Sequence, residues 1–150
     1  MNKDIEKIEN RIKDLVTNNE DAIKGFEKAS KNAEQVGIKS YFERKVIQRM
    51  QFLKELRASV PDLDIGSVKI EGSATGAVHR TWMDVKAFFA GDNDEAMLEE
   101  AVRGDKAAIK DYDKALVETM VPARLKEIIR VQREKLQNDL ETTEILEDYR

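Results

Sequence analysis

The peptide Ala22-Ile23-Lys24-Gly25-Phe26-Glu27-Lys28-Ala29 returns 86 residues later as Ala108-Ile109-Lys110-Asp111-Tyr112-Asp113-Lys114-Ala115. Five of the eight positions are identical, an aromatic meets an aromatic, and an acid meets an acid. Such a chain reads as two related helix pairs. The apolar spacing agrees. Ile5, Ile8, Ile12, Leu15, Asn19, Ala22, Phe26, Ala29, Ala33 and Val36 step by threes and fours, which places one stripe on one face of a helix over about 4–36. Gly37 is the expected stop.

A second helix is predicted over about 39–59, with Phe42, Val46, Arg49, Leu53 and Leu56 inward and Pro61 beyond its end. Ser73 is a candidate N-cap for a shorter helix over Ala74–Ala90, closed by Gly91. Asn93 or Asp94 starts the next, running to about Met120 with Leu98, Ala101, Asp105, Ala108, Tyr112 and Ala115 inward. Pro122 suits the first turn of a last helix that reaches about Asp148. Short connections near Gly37 and Val121-Pro122 imply antiparallel hairpins, and the stretch 60–93 is a long crossover between them. The expected fold is all-α: one domain over 1–150, a ferritin-like up-down four-helix bundle of two pseudo-twofold-related hairpins, with an extra helix in the crossover. Residues 1–15 extend beyond the repeated unit. An overhanging apolar stripe from Ile5 to Leu15 would need a partner, so a homodimer is expected.

Composition narrows the function classes. Charged residues are 37% of the chain, aromatics 6%, and Gly and Pro together only nine, a profile that favours helices. The formal net charge is −4 with both signs interspersed, so no basic face for nucleic acid stands out. There is no cysteine, which excludes disulfides and thiolate metal sites. No apolar run approaches membrane-spanning length, and the charged N-terminus lacks a signal-peptide core, so a cytoplasmic protein is expected.

Gly72-Ser73-Ala74-Thr75-Gly76-Ala77-Val78-His79-Arg80-Thr81-Trp82 fits the pattern G-S-x-x-G-x-x-H-R-x-W, and Glu99 to Asp105 with Tyr112 fits E-x-x-x-R-G-E followed by a Tyr. Through these motifs the chain resembles a bacterial ferritin-like family of four-helix bundles, the domain of unknown function 2383, from about residue 10 to the C-terminus. Asp105 replaces the usual Glu, and Phe26 the usual Tyr of the first helix. The resemblance implies the bundle fold and allows a stress-related bacterial role.

A ferritin-like di-metal site takes one Glu from each of two helices and Glu-x-x-His from each of the others. The one histidine, His79, lies in the crossover, so neither second helix of a hairpin can supply that motif. The repeat relates Asn19 to Asp105, Arg49 to Lys135 and Phe52 to Asn138. Bases near the place of the metal ligands would repel a metal, so no metal and no cofactor are expected. Asn19, Arg49 and Asp105 instead form a candidate buried polar core with an Arg49–Asp105 ion pair. The alternative is that Arg49 and Lys135 run outward along their stems, the favoured reading for Lys135. His79, Arg80 and Trp82 form a second constellation, either an anion or partner contact or, as favoured, a packing and capping device. No nucleophile, second His or phosphate loop accompanies them, so no catalytic residue is assigned. The sequence thus points to a non-enzymatic structural or interaction module. A carboxylate metal-binding oxidoreductase or iron-storage relative is the alternative.

Overall fold

The computed structural model describes residues 2–59 and 94–148. The predicted crossover helix, with His79, Arg80 and Trp82, lies outside the described residues. Within them the chain forms α1 (Asn2–Asn32), α2 (Val36–Ser59), α3 (Asp94–Leu116) and α4 (Ala123–Asp148), and no strand. This is an all-α four-helix bundle.

Cross-helix contacts fix the topology. Arg57 reaches Glu20 and Phe42 stacks on Phe26, so α1 and α2 are antiparallel. Arg11 meets Glu118 and Asn18 meets Asp111, so α1 and α3 are antiparallel too. Tyr41 bonds Thr143 and Lys45 bonds Asp139, which sets α4 antiparallel to α2. Around the bundle the order is α1, α2, α4, α3. In chain order the directions are up, down, down, up. Ser59 and Asp94 therefore lie at opposite ends.

The repeat is a repeat of core positions. Ile12, Leu15, Asn19, Ala22, Phe26 and Ala29 match Leu98, Ala101, Asp105, Ala108, Tyr112 and Ala115, and all twelve are buried. The second helices follow a different offset. Phe42 and Ile129, Lys45 and Gln132, and Arg49 and Leu136 are the matching buried pairs, each 87 residues apart. Lys135 and Asn138, aligned by the 86-residue offset with Arg49 and Phe52, are exposed. One residue turns a helix face by about 100°. The slip arises because the α3–α4 connection is longer than the α1–α2 connection.

The helix breaks also differ from expectation, and tertiary contacts explain them. Gly37 does not stop α1; it lies in the first turn of α2 with open space around it. The break falls at Ala33-Glu34-Gln35 because the buried Asp94 carboxylate accepts the Glu34 and Gln35 N–H groups, both at 2.9 Å. The Gln35 carbonyl then accepts from Lys39 and opens α2. Val36, assigned to the α1 stripe, is 80% exposed. α3 stops at Leu116 rather than near Met120, in a turn where Glu118 N–H donates to Ala115 and Val121 N–H to Glu118. The turn returns Val121 to the core, and Pro122, which has no N–H to continue α3, accepts from Lys126 as α4 begins.

The expected overhang is not found over the residues whose side chains are described. Ile8, Ile12 and Leu15 are buried in one cluster with Leu56, Val121, Leu125 and Ile129. The same end of the bundle that holds the α3–α4 turn and the end of α2 covers them, so this stripe supplies no reason for a dimer.

Asp94→Ala removes both acceptors at the α1–α2 break and leaves two donors without them. It should lower unfolding stability by about 2 kcal/mol in urea melts, as loss of a charged cap does. Asp94→Asn should recover part of the loss.

A candidate functional site in the bundle interior

Most of the interior is apolar, in two clusters. One runs from Ile8 and Ile12 to Leu136 and Leu140. The other gathers Ala22, Phe26, Phe42, Met97, Leu98 and neighbours, with Phe26 stacked on Phe42 at 6.0 Å between ring centroids. A polar network lies along the interior where the two clusters meet.

At its centre is Asp105. Arg49 Nη2 donates to its Oδ1 at 2.8 Å and Lys45 Nζ to its Oδ2 at 2.6 Å. Arg49 and Asp105 are 0% exposed and Lys45 is 3%. The second fork of Arg49 donates to Asn19 Oδ1 at 2.8 Å and to Asn18 Oδ1 at 3.3 Å. The structure thus brings Asn19, Arg49 and Asp105 together, with Asn19 and Arg49 in direct contact. Lys45 also donates to Asp139 at 2.8 Å, and its ammonium stands 5.3 Å from the Phe26 ring centroid. Two cations thus meet two carboxylates.

From Asn19 the network continues. Asn19 Nδ2 donates to the Tyr112 hydroxyl at 3.0 Å, Tyr112 donates to Gln132 Oε1 at 2.6 Å, and Gln132 Nε2 donates to Glu55 at 2.8 Å. An unbroken line of hydrogen bonds therefore joins Glu55 to Asp139 through all four helices. Beside it, Tyr41 bonds Thr143. Burial pushes the Tyr112 phenol up to about 12, against the lowering effects of Arg49 and of the Asn19 hydrogen bond. Burial, reinforced by Asp105, raises the Tyr41 phenol as well. Both hydroxyls stay protonated near neutrality and act as neutral links.

Sequence reasoning missed Lys45, Asn18, Gln132 and Asp139. Lys45 and Val46 both lie one turn from Arg49, and hydrophobicity selects Val46. The structure buries Lys45 fully and Val46 only in part. The available signal was spacing: Tyr41, Lys45, Arg49, Phe52 and Leu56 also step by threes and fours. Lys135 is exposed, in line with its outward reading. Among the described residues, no group of three His, Cys, Asp or Glu side chains is placed to hold a metal ion.

A family model described as "Domain of unknown function (DUF2383)" matches residues 7–118. That span is well over half of the chain, and the chain belongs to this family. The match includes α1, most of the network and α3, but ends before α4, short of the extent suggested by the sequence motifs. Comparison with curated proteins and with solved structures gives no match.

Asp105→Ala leaves Arg49 wholly without its carboxylate and Lys45 with Asp139 alone. It should cost roughly 3–5 kcal/mol in denaturant unfolding, as for a broken buried pair. Because Lys45 shares the carboxylate, replacing Asp105 and Arg49 together by apolar residues should restore only part of the loss; adding Lys45→Met should restore more.

Tyr112 predicts an alkaline limit. Its pKa is about 12 folded against an ordinary 10.0. The folded chain holds the proton in that window while the unfolded chain releases it, so stability is intact below pH 10 and falls as pH rises toward 12. Tyr112→Phe should flatten this part of the profile in urea melts at successive pH values.

Proposed function

We propose that this chain is a non-catalytic, ferritin-like helical-bundle protein of the cytoplasm, acting as a structural or interaction module. The carrying observation is the placement of Lys45 and Arg49. Carboxylate metal centres in four-helix bundles use acids and histidines projecting inward from all four helices. Here the inward acids Asp105 and Asp139 already neutralise one ammonium and one guanidinium group. A divalent cation entering there would meet two fixed positive charges and have to displace their hydrogen bonds. The topology supports the ferritin-like reading: two hairpins, with the second helix of one and the first helix of the next running in the same direction.

The network supplies no catalytic pair. Its hydroxyls are phenols raised above their ordinary range, and its cations are consumed in ion pairs. Cytoplasmic residence accords with the lack of cysteine, and no described helix is long and apolar enough to cross a membrane. For an interaction role, the exposed apolar residues to consider are Ile47 and Met50 on α2 and Val117 and Met120 at the α3–α4 turn.

Elemental analysis of protein purified without chelators separates this reading from an iron-storage or di-metal oxidoreductase relative. The expected result is substoichiometric iron and manganese, and a melting temperature unmoved by either added ion, since a ligand that binds only the folded state would raise it. Near-stoichiometric metal inside the bundle would overturn the proposal.

A further inference from the structure

The outer face of α2 carries two large apolar side chains in the open. Ile47 and Met50 are 67% and 54% exposed and lie one turn apart. Glu43 stands one turn before Ile47 and Lys54 one turn after Met50, both exposed. Steps of four, three and four residues set these side chains in one stripe. The stripe lies opposite the buried one of Tyr41, Lys45, Arg49, Phe52 and Leu56. α1 and α4 flank α2 on its other sides, where Arg57 turns to Glu20 and Glu55 receives Gln132. Glu43 and Lys54, by contrast, have no ion-pair partner among the described residues. They cannot serve each other within one helix, because their separation in sequence spans about 16 Å along its axis.

Along the chain the stripe reads acid, apolar, apolar, base; in reverse it reads base, apolar, apolar, acid. A twofold axis perpendicular to α2, passing between Gln48 and Arg49, therefore matches the stripe to itself. We propose that the chain forms a homodimer by antiparallel pairing of α2 with α2 of a second copy, in which Ile47 packs on the partner subunit's Met50 and Glu43 pairs with the partner subunit's Lys54. Symmetry makes each contact twice, so four apolar side chains form the centre and an ion pair closes each end. The inference names a partner for the interaction role put forward above and rests on that reading.

Charge selects this arrangement. Parallel pairing of the same faces would oppose Glu43 to Glu43 and Lys54 to Lys54, which repel. Sliding the antiparallel pair by one turn would set Ile47 against the partner's Lys54, or Met50 against the partner's Glu43. The matched register alone keeps apolar on apolar and acid on base. Two helix faces make a small interface, in the class below about 1,200 Å² where complexes are transient, so the dimer is concentration-dependent. Its apolar centre supplies affinity and its end charges supply orientation. A dimer thus has its seat on α2 and not on the N-terminal stripe, which the bundle itself covers.

Sedimentation velocity of the full chain should show the mean mass rising from monomer toward dimer with concentration. Ile47→Glu should raise the dissociation constant by about tenfold or more with helical circular dichroism retained. Met120→Glu, at the exposed apolar turn after α3, should leave it unchanged. Glu43→Lys and Lys54→Glu should each weaken self-association severalfold, and a mixture of the two should regain it, since every opposed pair is then an acid and a base. The chain has no cysteine, so the register can be read directly. Under mild oxidation a mixture of Glu43→Cys and Lys54→Cys chains should form mixed disulfide dimers much faster than either chain alone, because like positions lie about 16 Å apart in the dimer, too far for a disulfide. A monomer at every concentration would overturn the pairing. So would either cysteine chain cross-linking to itself as fast as the mixture, or a dimer indifferent to Ile47→Glu. Iron and manganese content is independent of these outcomes, so failure of the dimer is distinct from failure of the metal-free reading.

Discussion

One carboxylate holds two buried cations. Asp105 gives one oxygen to Arg49 and the other to Lys45, and both partners come from the helix diagonally across the bundle. Such an arrangement contributes little net stability relative to apolar packing, but removal of either charge leaves its partner stranded in a poorly solvating interior. The surrounding structure is organised to avoid that outcome. Asp139 balances the second cation, Asn18 and Asn19 occupy the other fork of the guanidinium, and Phe26 places its ring beside the ammonium.

The network also constrains how the hairpins dock. Its members come from all four helices, and its hydrogen bonds tolerate only small errors in distance and angle. An apolar seam could accept α4 turned by one residue with modest repacking. The network could not, because a turn of about 100° would carry Gln132 away from Tyr112 and Asp139 away from Lys45. The Asp94 carboxylate does comparable work at the far end of the bundle, where it fixes α3 against the α1–α2 break. The hairpins are joined by directional contacts at two levels, with apolar clusters filling the remaining interior.

The same arrangement is the ground on which we propose that this member of the DUF2383 family is not a metal-centred bundle. In a di-metal protein the divalent ions supply the positive charge that inward carboxylates require. Here the side chains of Lys45 and Arg49 supply it from within the chain. The inward polar residues then have a physical reason to exist without any bound ion.

The all-helical class, the paired hairpins and the inward face of α1 and α3 were determined by the sequence alone, because a helix has a fixed period and the repeat writes the same stripe twice. Asn19, Arg49 and Asp105 could be found for the same reason, as polar residues interrupting apolar stripes. Other features were decided by tertiary structure. Whether Lys45 or Val46 turns inward depends on a carboxylate sixty positions away on another helix. The break between α1 and α2 depends on Asp94, equally remote, and overrides the local stop signal of Gly37. The second helices match at 87 rather than 86 residues because connection length, not side-chain pattern, sets their rotation. Periodicity is a local property and reads directly from the chain; the destination of a charge is set by whatever the fold brings opposite it.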